Sequence, residues 1–367
     1  MVDEKRLQKR MSKAAEAAEA AGFAALLVTP SADLRYLLGY DPPPLERLTC
    51  LVIRPGSDPV LVVPQLERPL AEERLGAGLA EIRGWAEGED PYAAAASILG
   101  SAERVACSDQ MWAAHLIGLQ GALPGTETVP ASPVLGPLRA IKDDQELEVL
   151  RRSARVADEA FHRLTDERLE GLGERDVAAR LERLLVEMGA DRAEFMIVGS
   201  GPNAASPHHE PGDRVLRAGD GVVLDFGGTV GGYHSDVSRT VAISRVPDGF
   251  AEVYEIVAET QERAVRAVRP GVPAEEVDRA AREVIEAAGY GDRFFHRTGH
   301  GIGMEVHEEP YIIAGNREPL RPGMCFSVEP GIYLEGRFGV RIEDIVTVTE
   351  DGVARLNHAP REMLTVR

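Results

Sequence analysis

Residues 296–310, HRTGHGIGMEVHEEP, bring together side chains that could bind a metal ion or transfer a proton. The segment contains three of the nine histidines in the chain, with three glutamates and three glycines between them. Glycine lets the backbone approach a ligand closely, because it has no Cβ. An imidazole presented in this way suits a divalent transition metal, so other ligands should be found elsewhere in the sequence.

Four carboxylates interrupt runs of residues that otherwise predict buried strands. In VVLDFGG, alternation of side chains puts Val222, Leu224 and Phe226 on one face and Asp225 on the other. The remaining three carboxylates occur in similar strand-like runs: Asp236 in YHSDVSRT, Glu329 in FSVEPGIY and Glu343 in VRIEDIV.

Burying these carboxylates requires compensation, because each unpaired buried charge costs several kcal/mol. Arg239 and Arg341 are the only basic residues close by in those runs. A bound cation is the simplest solution. Oxygen ligands with one imidazole suit Mn²⁺, Co²⁺, Zn²⁺ or Fe²⁺, and the absence of thiolates argues against a structural zinc site.

The three cysteines do not predict a disulfide framework. Cys50, Cys107 and Cys325 are far apart, odd in number and without CxxC spacing. The first residues lack the apolar core of a signal peptide, and no apolar run is long enough to span a bilayer. We therefore expect a cytoplasmic protein that does not insert into membranes.

The carboxylates and the histidine segment together resemble a known metal site. In order and local context, Asp225, Asp236, His300 in TGHGIG, Glu329 in SVEPGIY and Glu343 in VRIED are similar to the ligands of the pita-bread metallopeptidases, the family of methionine aminopeptidase, aminopeptidase P and prolidase. The match covers about residues 138–367 and includes GSGPNAASPHH. A preceding α/β domain and the junction LRAIKDDQELEVL resemble the prolidase and aminopeptidase P branch.

The resemblance implies a dinuclear centre. Asp225 would chelate one metal, His300 and Glu329 would bind the other, and Asp236 and Glu343 would bridge the two. The cofactors would be two divalent ions per chain, Mn²⁺ first, with Co²⁺, Zn²⁺ or Fe²⁺ as alternatives. A hydroxide held between the ions would be the nucleophile.

The resemblance also implies roles for residues around the metals. Glu329 would carry a proton from the attacking water towards the leaving nitrogen. His208, favoured over its neighbour His209, and His307 would donate to the carbonyl oxygen or orient the scissile bond. Arg341 would orient the ligands or bind a substrate carboxylate. We expect His296 to be structural.

The activity implied by the branch is hydrolysis of the peptide bond preceding proline. Some prolidases carry a histidine before Glu-Arg in a loop of the first domain, whereas GYDPPPLERL here has Leu45 in that place. Dipeptidase and Xaa-Pro aminopeptidase activities both stay open, and the uncharged Leu45 favours tolerance of longer peptides. Two other readings are another metallohydrolase or lyase on the same scaffold and a non-catalytic peptide-binding pseudoenzyme.

The elements that must position these residues predict two domains. Residues 1–137 alternate a helix at 5–21 with apolar runs such as AALLVTP and PVLVVPQ, which indicates a mixed α/β domain. The resemblance implies that this domain is creatinase-like. The Pro- and Gly-rich stretch PASPVLGPLRAIKDDQ, residues 130–145, contains the boundary to residues 138–367, whose helices (174–188, 249–268 and 274–288) and strand-like runs predict an α+β domain. The resemblance implies the pita-bread fold for this domain. Its first helix is predicted by an apolar stripe at spacings of three and four: Leu147, Leu150, Ala154, Ala157, Phe161 and Leu164.

Composition limits the partners. With 41 basic and 60 acidic residues the net charge is −19, which repels phosphate backbones and anionic membranes. We expect no nucleic acid or membrane partner, and a proline-containing peptide as substrate. By resemblance, the chain should form a homodimer in which the Pro-rich residues 40–47 lie near an active site.

Overall fold

The structure is a computed structural model that describes residues 3–75 and 78–367. Its internal contacts divide the chain into two units, Met1–Arg139 and Ala140–Arg367. No helix in these described residues is long and apolar enough to cross a membrane. The candidate chemistry lies in the second unit.

The first unit contains a six-stranded mixed sheet between helices. Its strands are β1 (Ala25–Val28), β2 (Cys50–Ile53), β3 (Val60–Pro64), β4 (Glu81–Trp85), β5 (Arg104–Cys107) and β6 (Glu127–Pro130). They are ordered β4-β3-β2-β1-β5-β6, with antiparallel pairs where β2 meets β1 and β3 and parallel pairs elsewhere. Strands β1 to β3 are buried on both faces, as expected for continuous apolar runs.

The helices of the first unit account for that burial. They are α1 (Glu4–Ala20), α2 (Ala32–Leu38), α3 (Arg68–Leu75), α4 (Pro91–Leu99), α5 (Ala113–Ala122) and α6 (Ser132–Ala140), the last reaching the unit boundary. Asp3 caps α1 by accepting a hydrogen bond from the backbone N–H of Lys5. The Pro- and Gly-rich stretch at residues 130–145 contains α6 and the beginning of α7. Proline is tolerated in a first helical turn, and Pro133 occupies that turn.

The second unit contains four long helices and twelve strands within the described residues. The helices are α7 (Asp144–Thr165), α8 (Glu174–Glu187), α9 (Phe250–Ala267) and α10 (Ala274–Ala287), with short 3₁₀ turns at Gly201–Ala205 and Gly291–Arg293. The strands are β7 (Arg192–Ser200), β8 (Gly221–Val230), β9 (Tyr233–His234), β10 (Val237–Ile243), β11 (Gly299–Gly301), β12 (Glu308–Ile312), β13 (Cys325–Val328), β14 (Gly331–Leu334), β15 (Phe338–Arg341), β16 (Asp344–Val348), β17 (Val353–Arg355) and β18 (Leu364–Val366).

These elements form two similar halves. One sheet, ordered β18-β10-β8-β7 with β9 on β8, shares an apolar core with α7 and α8. The other, ordered β12-β11-β13-β16-β17, shares a second core with α9, α10 and the hairpin β14-β15. The α+β class predicted for this domain is therefore what the structure shows.

Helix α7 follows the predicted pattern. It begins with a capping box, in which Asp143 accepts from the backbone N–H of Glu146 while the Glu146 carboxylate accepts from the backbone N–H of Asp143. Leu150, Phe161 and Leu164 of the apolar stripe are buried. This face anchors the helix against β8, which carries Asp225.

Three of the four carboxylates do not lie within strands, contrary to the sequence-based prediction. Asp225 is inside β8, but Asp236 lies between β9 and β10, Glu329 between β13 and β14, and Glu343 between β15 and β16. At Glu329 and Glu343 the chain passes between the second sheet and the hairpin β14-β15, whereas at Asp236 the pairing with β8 is interrupted between β9 and β10. At one such junction the backbone N–H of Glu343 donates to Ser238 O over 3.0 Å, which joins the two halves.

The histidine segment is in part a strand, because residues 299–301 form an interior strand of a sheet. Strand β11 pairs with β12 on one side and with β13 on the other. A Cβ on Gly299 would overlap the backbone oxygen of Ser327, so only glycine permits this approach. The glycine thereby fixes the position of the adjacent His300.

We expect Gly299→Ala to lower the free energy of unfolding by about 1–3 kcal/mol, because the added methyl group forces neighbouring strands apart. Gly352→Ala is the matched control in the same unit, since the nearest atom to its new Cβ lies 4.0 Å away. Denaturant unfolding of both variants measures the difference. Equal stability of the two variants would refute the close approach.

Candidate active site

The predicted site residues line one cavity in the second unit. The cavity has a volume of about 600 Å³. Its walls include every residue to which the sequence assigned a metal or catalytic role: His208, Asp225, Asp236, His300, His307, Glu329, Arg341 and Glu343. They come from both halves of the unit, so the folding of both sheets is needed to assemble the site.

The proposed ligands approach one another at the cavity floor. His300 Nε2 lies 3.4 Å from Glu329 Oε1 and 3.7 Å from Asp236 Oδ2. One ligand atom each from Asp236, His300 and Glu343 falls within 4.8 Å of the others. These separations suit side chains that share a small cation.

The hydrogen bonding of the carboxylates also fits a cation. Asp225 Oδ1, Asp236 Oδ1 and Glu343 Oε1 are buried and have no hydrogen-bond partner in the described part of the chain. A carboxylate oxygen can only accept, so a buried one without a donor is costly unless a cation meets it. The donor set of four carboxylates and one imidazole therefore fits divalent transition metals.

Burial and mutual repulsion strongly shift the pKa values of the carboxylates. Burial, with the nearby charges of Glu343 and Asp225, raises the pKa of Asp236 well above its usual range. The pKa of Glu343 is raised in the same sense by burial and by Glu329. Burial also raises the pKa of Glu329 to about 7, although Arg341 opposes the shift. A cation would offset both the burial of these charges and their mutual repulsion, which together cause the shifts.

His300 is held in the form that can bind a metal. Burial and the neighbouring His307 lower its pKa to about 3, so the ring is neutral at pH 7. Its Nδ1 lies 3.1 Å from the carbonyl oxygen of Gly301, which assigns the proton to Nδ1. The lone pair of Nε2 then faces the carboxylates.

Arg341 connects the carboxylates to the surrounding protein. Its Nη2 donates to Asp225 Oδ2 over 2.5 Å, and its Nε donates to Ser238 Oγ over 2.8 Å. Ser238 Oγ in turn donates to Glu343 Oε2 over 2.8 Å. One buried guanidinium thus fixes the orientation of two proposed ligands.

The two histidines with proposed substrate roles differ from His300 in exposure. His208 and His307 are both exposed, whereas His300 is buried. The rings of His300 and His307 meet edge to face with centroids 4.2 Å apart. Partial desolvation of its ring lowers the pKa of His307, so the neutral ring can donate one N–H.

The loop that carries His208 is anchored by a residue that the sequence did not single out. Glu174, fully buried at the start of α8, accepts hydrogen bonds from Ser200 and Asn203 and lies 2.8 Å from His209 Nε2. His209 is therefore engaged away from the cavity, while His208 lines it. No local sequence pattern could reveal Glu174, because its partners are 26 to 38 residues away.

His296 was expected to be structural, but it lines the cavity. Its Nδ1 lies 2.7 Å from the Arg297 carbonyl oxygen, so Nε2 accepts from the Tyr333 hydroxyl over 2.9 Å. Tyr333 in turn accepts from Arg341 Nη1 over 2.9 Å. Burial and Arg341 lower the pKa of His296 to about 4. The only signals for this chain of contacts were the clustered histidines and the tyrosine in SVEPGIY.

Comparison with known proteins is consistent with this geometry. A model of metallopeptidase family M24 matches residues 148–350, and a model of the creatinase/prolidase N-terminal domain matches residues 10–141. Together they cover most of both units. The fold predicted from the sequence, a creatinase-like domain before a pita-bread domain, is confirmed.

Three similar proteins illustrate the match. A probable dipeptidase PepE from Mycobacterium tuberculosis is 45% identical over 361 residues, which are 98% of this chain and 96% of that protein. An Xaa-Pro dipeptidase from Pyrococcus furiosus is 36% identical over 314 residues, 85% and 88% of the two chains. The crystal structure of a prolidase from Thermococcus sibiricus superimposes with a TM-score of 0.93 at 40% identity and covers 100% of both chains. The resemblance to the prolidase branch is thus confirmed.

The repulsion among the carboxylates predicts a pH dependence for the metal-free protein. The folded-state pKa of Glu329, about 7, lies above its ordinary value of 4.5, so its contribution to stability is complete below pH 4.5 and is lost as the pH rises through 7. Asp236→Asn removes one of the repelling charges. We expect this variant to melt at a higher temperature than wild type at pH 8 in EDTA, and to bind less metal.

Thermal melts in EDTA between pH 4.5 and 8, with metal analysis of reconstituted samples, measure both effects. Asp292→Asn, at an exposed carboxylate outside the cavity, is the control and should leave both unchanged. A melting temperature for Asp236→Asn below that of wild type at pH 8 would contradict the electrostatic account. Full metal occupancy in that variant would contradict its role as a bridge.

Proposed function

Because the chain belongs to metallopeptidase family M24, we propose that it hydrolyses the peptide bond preceding proline in short peptides. The main support is the convergence of five potential metal ligands, two exposed histidines and a buried arginine on one cavity. Relatives named dipeptidase and Xaa-Pro dipeptidase match nearly the whole chain and support the same substrate class.

We assign two divalent cations to the cavity floor, held by Asp225, Asp236, His300, Glu329 and Glu343. Mn²⁺ is our first choice, with Co²⁺, Zn²⁺ or Fe²⁺ as alternatives for the same oxygen and nitrogen ligands. Such a pair, when bound, makes a hydroxide nucleophile available at neutral pH. The three orphaned carboxylate oxygens described above support the assignment.

Glu329 is the proposed proton carrier. Glu329 Oε1 lies 3.4 Å from His300 Nε2, and the same nitrogen lies 3.7 Å from Asp236 Oδ2. A carboxylate at this position would accept a proton from the attacking water and return it to the proline nitrogen as the bond breaks. This return is important, because a prolyl nitrogen has no N–H before cleavage and leaves as an amine only after protonation.

His208 and His307 are the proposed donors to the carbonyl oxygen of the scissile bond. Both are exposed to the cavity and can therefore reach substrate, in contrast to the buried His300. Negative charge develops on that oxygen during attack, and a fixed N–H donor stabilises it. His208 would depend on the loop anchor at Glu174 for its position.

For Arg341, the contacts favour orientation of the ligands over binding of a substrate carboxylate. Its guanidinium donates to Asp225, Ser238 and Tyr333, with a further bond to the Pro207 carbonyl oxygen. A bidentate contact with substrate would need two free N–H groups on one edge. These four bonds leave too few.

We further propose a cytoplasmic homodimer with domains at 1–137 and 138–367. Three free, buried cysteines support a reducing compartment. By resemblance, residues 40–47 are proposed to lie near an active site of the homodimer, that of the same chain or that of its partner, and to act there as a wall. They are held by an Arg35–Asp41 contact of 2.5 Å and by His115 Nε2, 3.0 Å from the Leu45 carbonyl oxygen. These contacts support a rigid wall.

A hydrolysis screen tests the function. Wild-type protein, metal-free and reloaded with Mn²⁺, Co²⁺ or Zn²⁺, is assayed on Xaa-Pro, Xaa-Pro-Yaa and peptides without proline. Turnover of proline peptides only after reloading supports the proposal. Turnover confined to other substrates would favour another hydrolase or lyase, and binding without turnover would favour a pseudoenzyme.

We expect alanine at His208 or His307 to lower turnover by about two to four orders of magnitude, since each removes a donor to the developing charge. Metal content should stay near that of wild type, because neither side chain is a proposed ligand. Steady-state kinetics and metal analysis give the two quantities. His162→Ala, an exposed histidine on α7, is the control. Metal loss in either cavity variant would show that a ligand was misassigned.

Replacement of Pro42, Pro43 and Pro44 by glycine should loosen the proposed wall and shift the ratio of kcat/KM for Xaa-Pro-Yaa over Xaa-Pro. The names of the relatives point to dipeptides, whereas the uncharged Leu45 favours longer peptides. The ratio is measured in wild type and variant, with the mass in solution. An unchanged ratio, or a fully active monomer, would exclude the loop from substrate selection.

A further inference from the structure

An irregularity in strand β7 changes the character of the cavity wall. In the pairing of β7 with β8, Ala193 is opposite Gly228 and Phe195 is opposite Gly227, which leaves Glu194 without a partner residue. This is a β-bulge, a feature that re-aims side chains and is common beside active sites.

The bulge puts adjacent residues on the same side. In a regular strand, Phe195 and Ile197 would face the cavity and Glu194 would face away from it. Here Glu194, Phe195 and Ile197 all line the cavity. The wall therefore combines two apolar side chains with a carboxylate that regular alternation would have placed on the other face.

The surroundings of Glu194 leave its charge available. Its side chain is 21% exposed. Oε1 accepts from Arg192 Nε and lies 3.6 Å from His234 Nε2. Arg192 is 60% exposed, so its ion pair with Glu194 is weakened by solvent screening. Oε2 accepts no hydrogen bond from the residues that the structure describes.

We propose that Glu194 selects substrates with lysine or arginine immediately before the scissile bond. This inference rests on the proposed function. A lysine or arginine side chain has an aliphatic stem and a cationic head, which match an apolar wall that ends in a carboxylate. The net charge of −19 adds a long-range attraction for cationic peptides.

The α-ammonium group of the substrate is the alternative partner for Glu194. That group is present in every unblocked peptide and has no aliphatic stem, so it makes no use of Phe195 and Ile197. The apolar pair beside the carboxylate therefore favours the side chain. The two cases differ in a measurable way, because only the side-chain contact distinguishes Lys-Pro from norleucyl-proline, in which an apolar chain replaces the lysine side chain.

The test compares kcat/KM for Lys-Pro and norleucyl-proline in metal-loaded wild type and Glu194→Gln. The variant keeps the size of the side chain and removes its charge. We expect the Lys/norleucine ratio to fall by about tenfold or more, because a hydrogen bond to a charged group contributes about 1.5–3 kcal/mol. Hydrolysis of norleucyl-proline should fall less than that of Lys-Pro. Glu182→Gln, at an exposed position on α8, is the control and should keep the wild-type ratio.

Calorimetric binding of the same two peptides to metal-free wild type and Glu194→Gln gives a readout that does not depend on turnover, and there too the preference for Lys-Pro should fall. An unchanged Lys/norleucine ratio, or an equal loss on both peptides, would overturn the inference while leaving the proposed function intact. Failure of wild type to cleave norleucyl-proline and other Xaa-Pro peptides would instead overturn the proposed function.

Discussion

The structure of the second unit depends on the burial of four carboxylates around one small volume. Asp225, Asp236, Glu329 and Glu343 repel one another where solvent screening is weak, and their proximity raises several of their pKa values. Such a cluster opposes folding, so the apolar cores on both sides must offset it. A divalent cation converts the same proximity into favourable coordination, which couples metal binding to stability.

The two sheets meet at the site, and their meeting explains how the carboxylates are held against this repulsion. Asp236, Glu329 and Glu343 each lie between two paired strands, which fix their backbone. Because they are outside the strands, their side chains need not follow the alternation of a sheet. Arg341 and Ser238 then cross from one half to the other and orient Asp225 and Glu343. A change in either half therefore alters the geometry of the proposed metal ligands, even when no ligand residue is replaced.

Much of this candidate site could be predicted from the sequence, because acidic residues within apolar runs are unusual and occur here in distinctive sequence motifs. Asp225 on the outer face of an alternating run is the clearest example, and the opposite face is indeed in the core. The breaks at Asp236 and Glu343, the strand at residues 299–301 and the bulge at Glu194 were not predicted. Each depends on which strand pairs with which, and pairing is decided between residues far apart in sequence.

The different burial of the cavity histidines determines whether each can contact the carboxylates or an entering peptide. His300 is buried and neutral, with one nitrogen occupied by the Gly301 carbonyl oxygen, so its other nitrogen can serve only the cavity floor. His208 and His307 lie nearer solvent and can meet a peptide that enters. Glu174 anchors the loop that carries His208, and the bulge at Glu194 shapes another part of the cavity wall. The proposed substrate recognition would therefore depend on β7, α8 and the loop between β7 and β8. Recognition can therefore vary through these elements while the metal ligands stay the same.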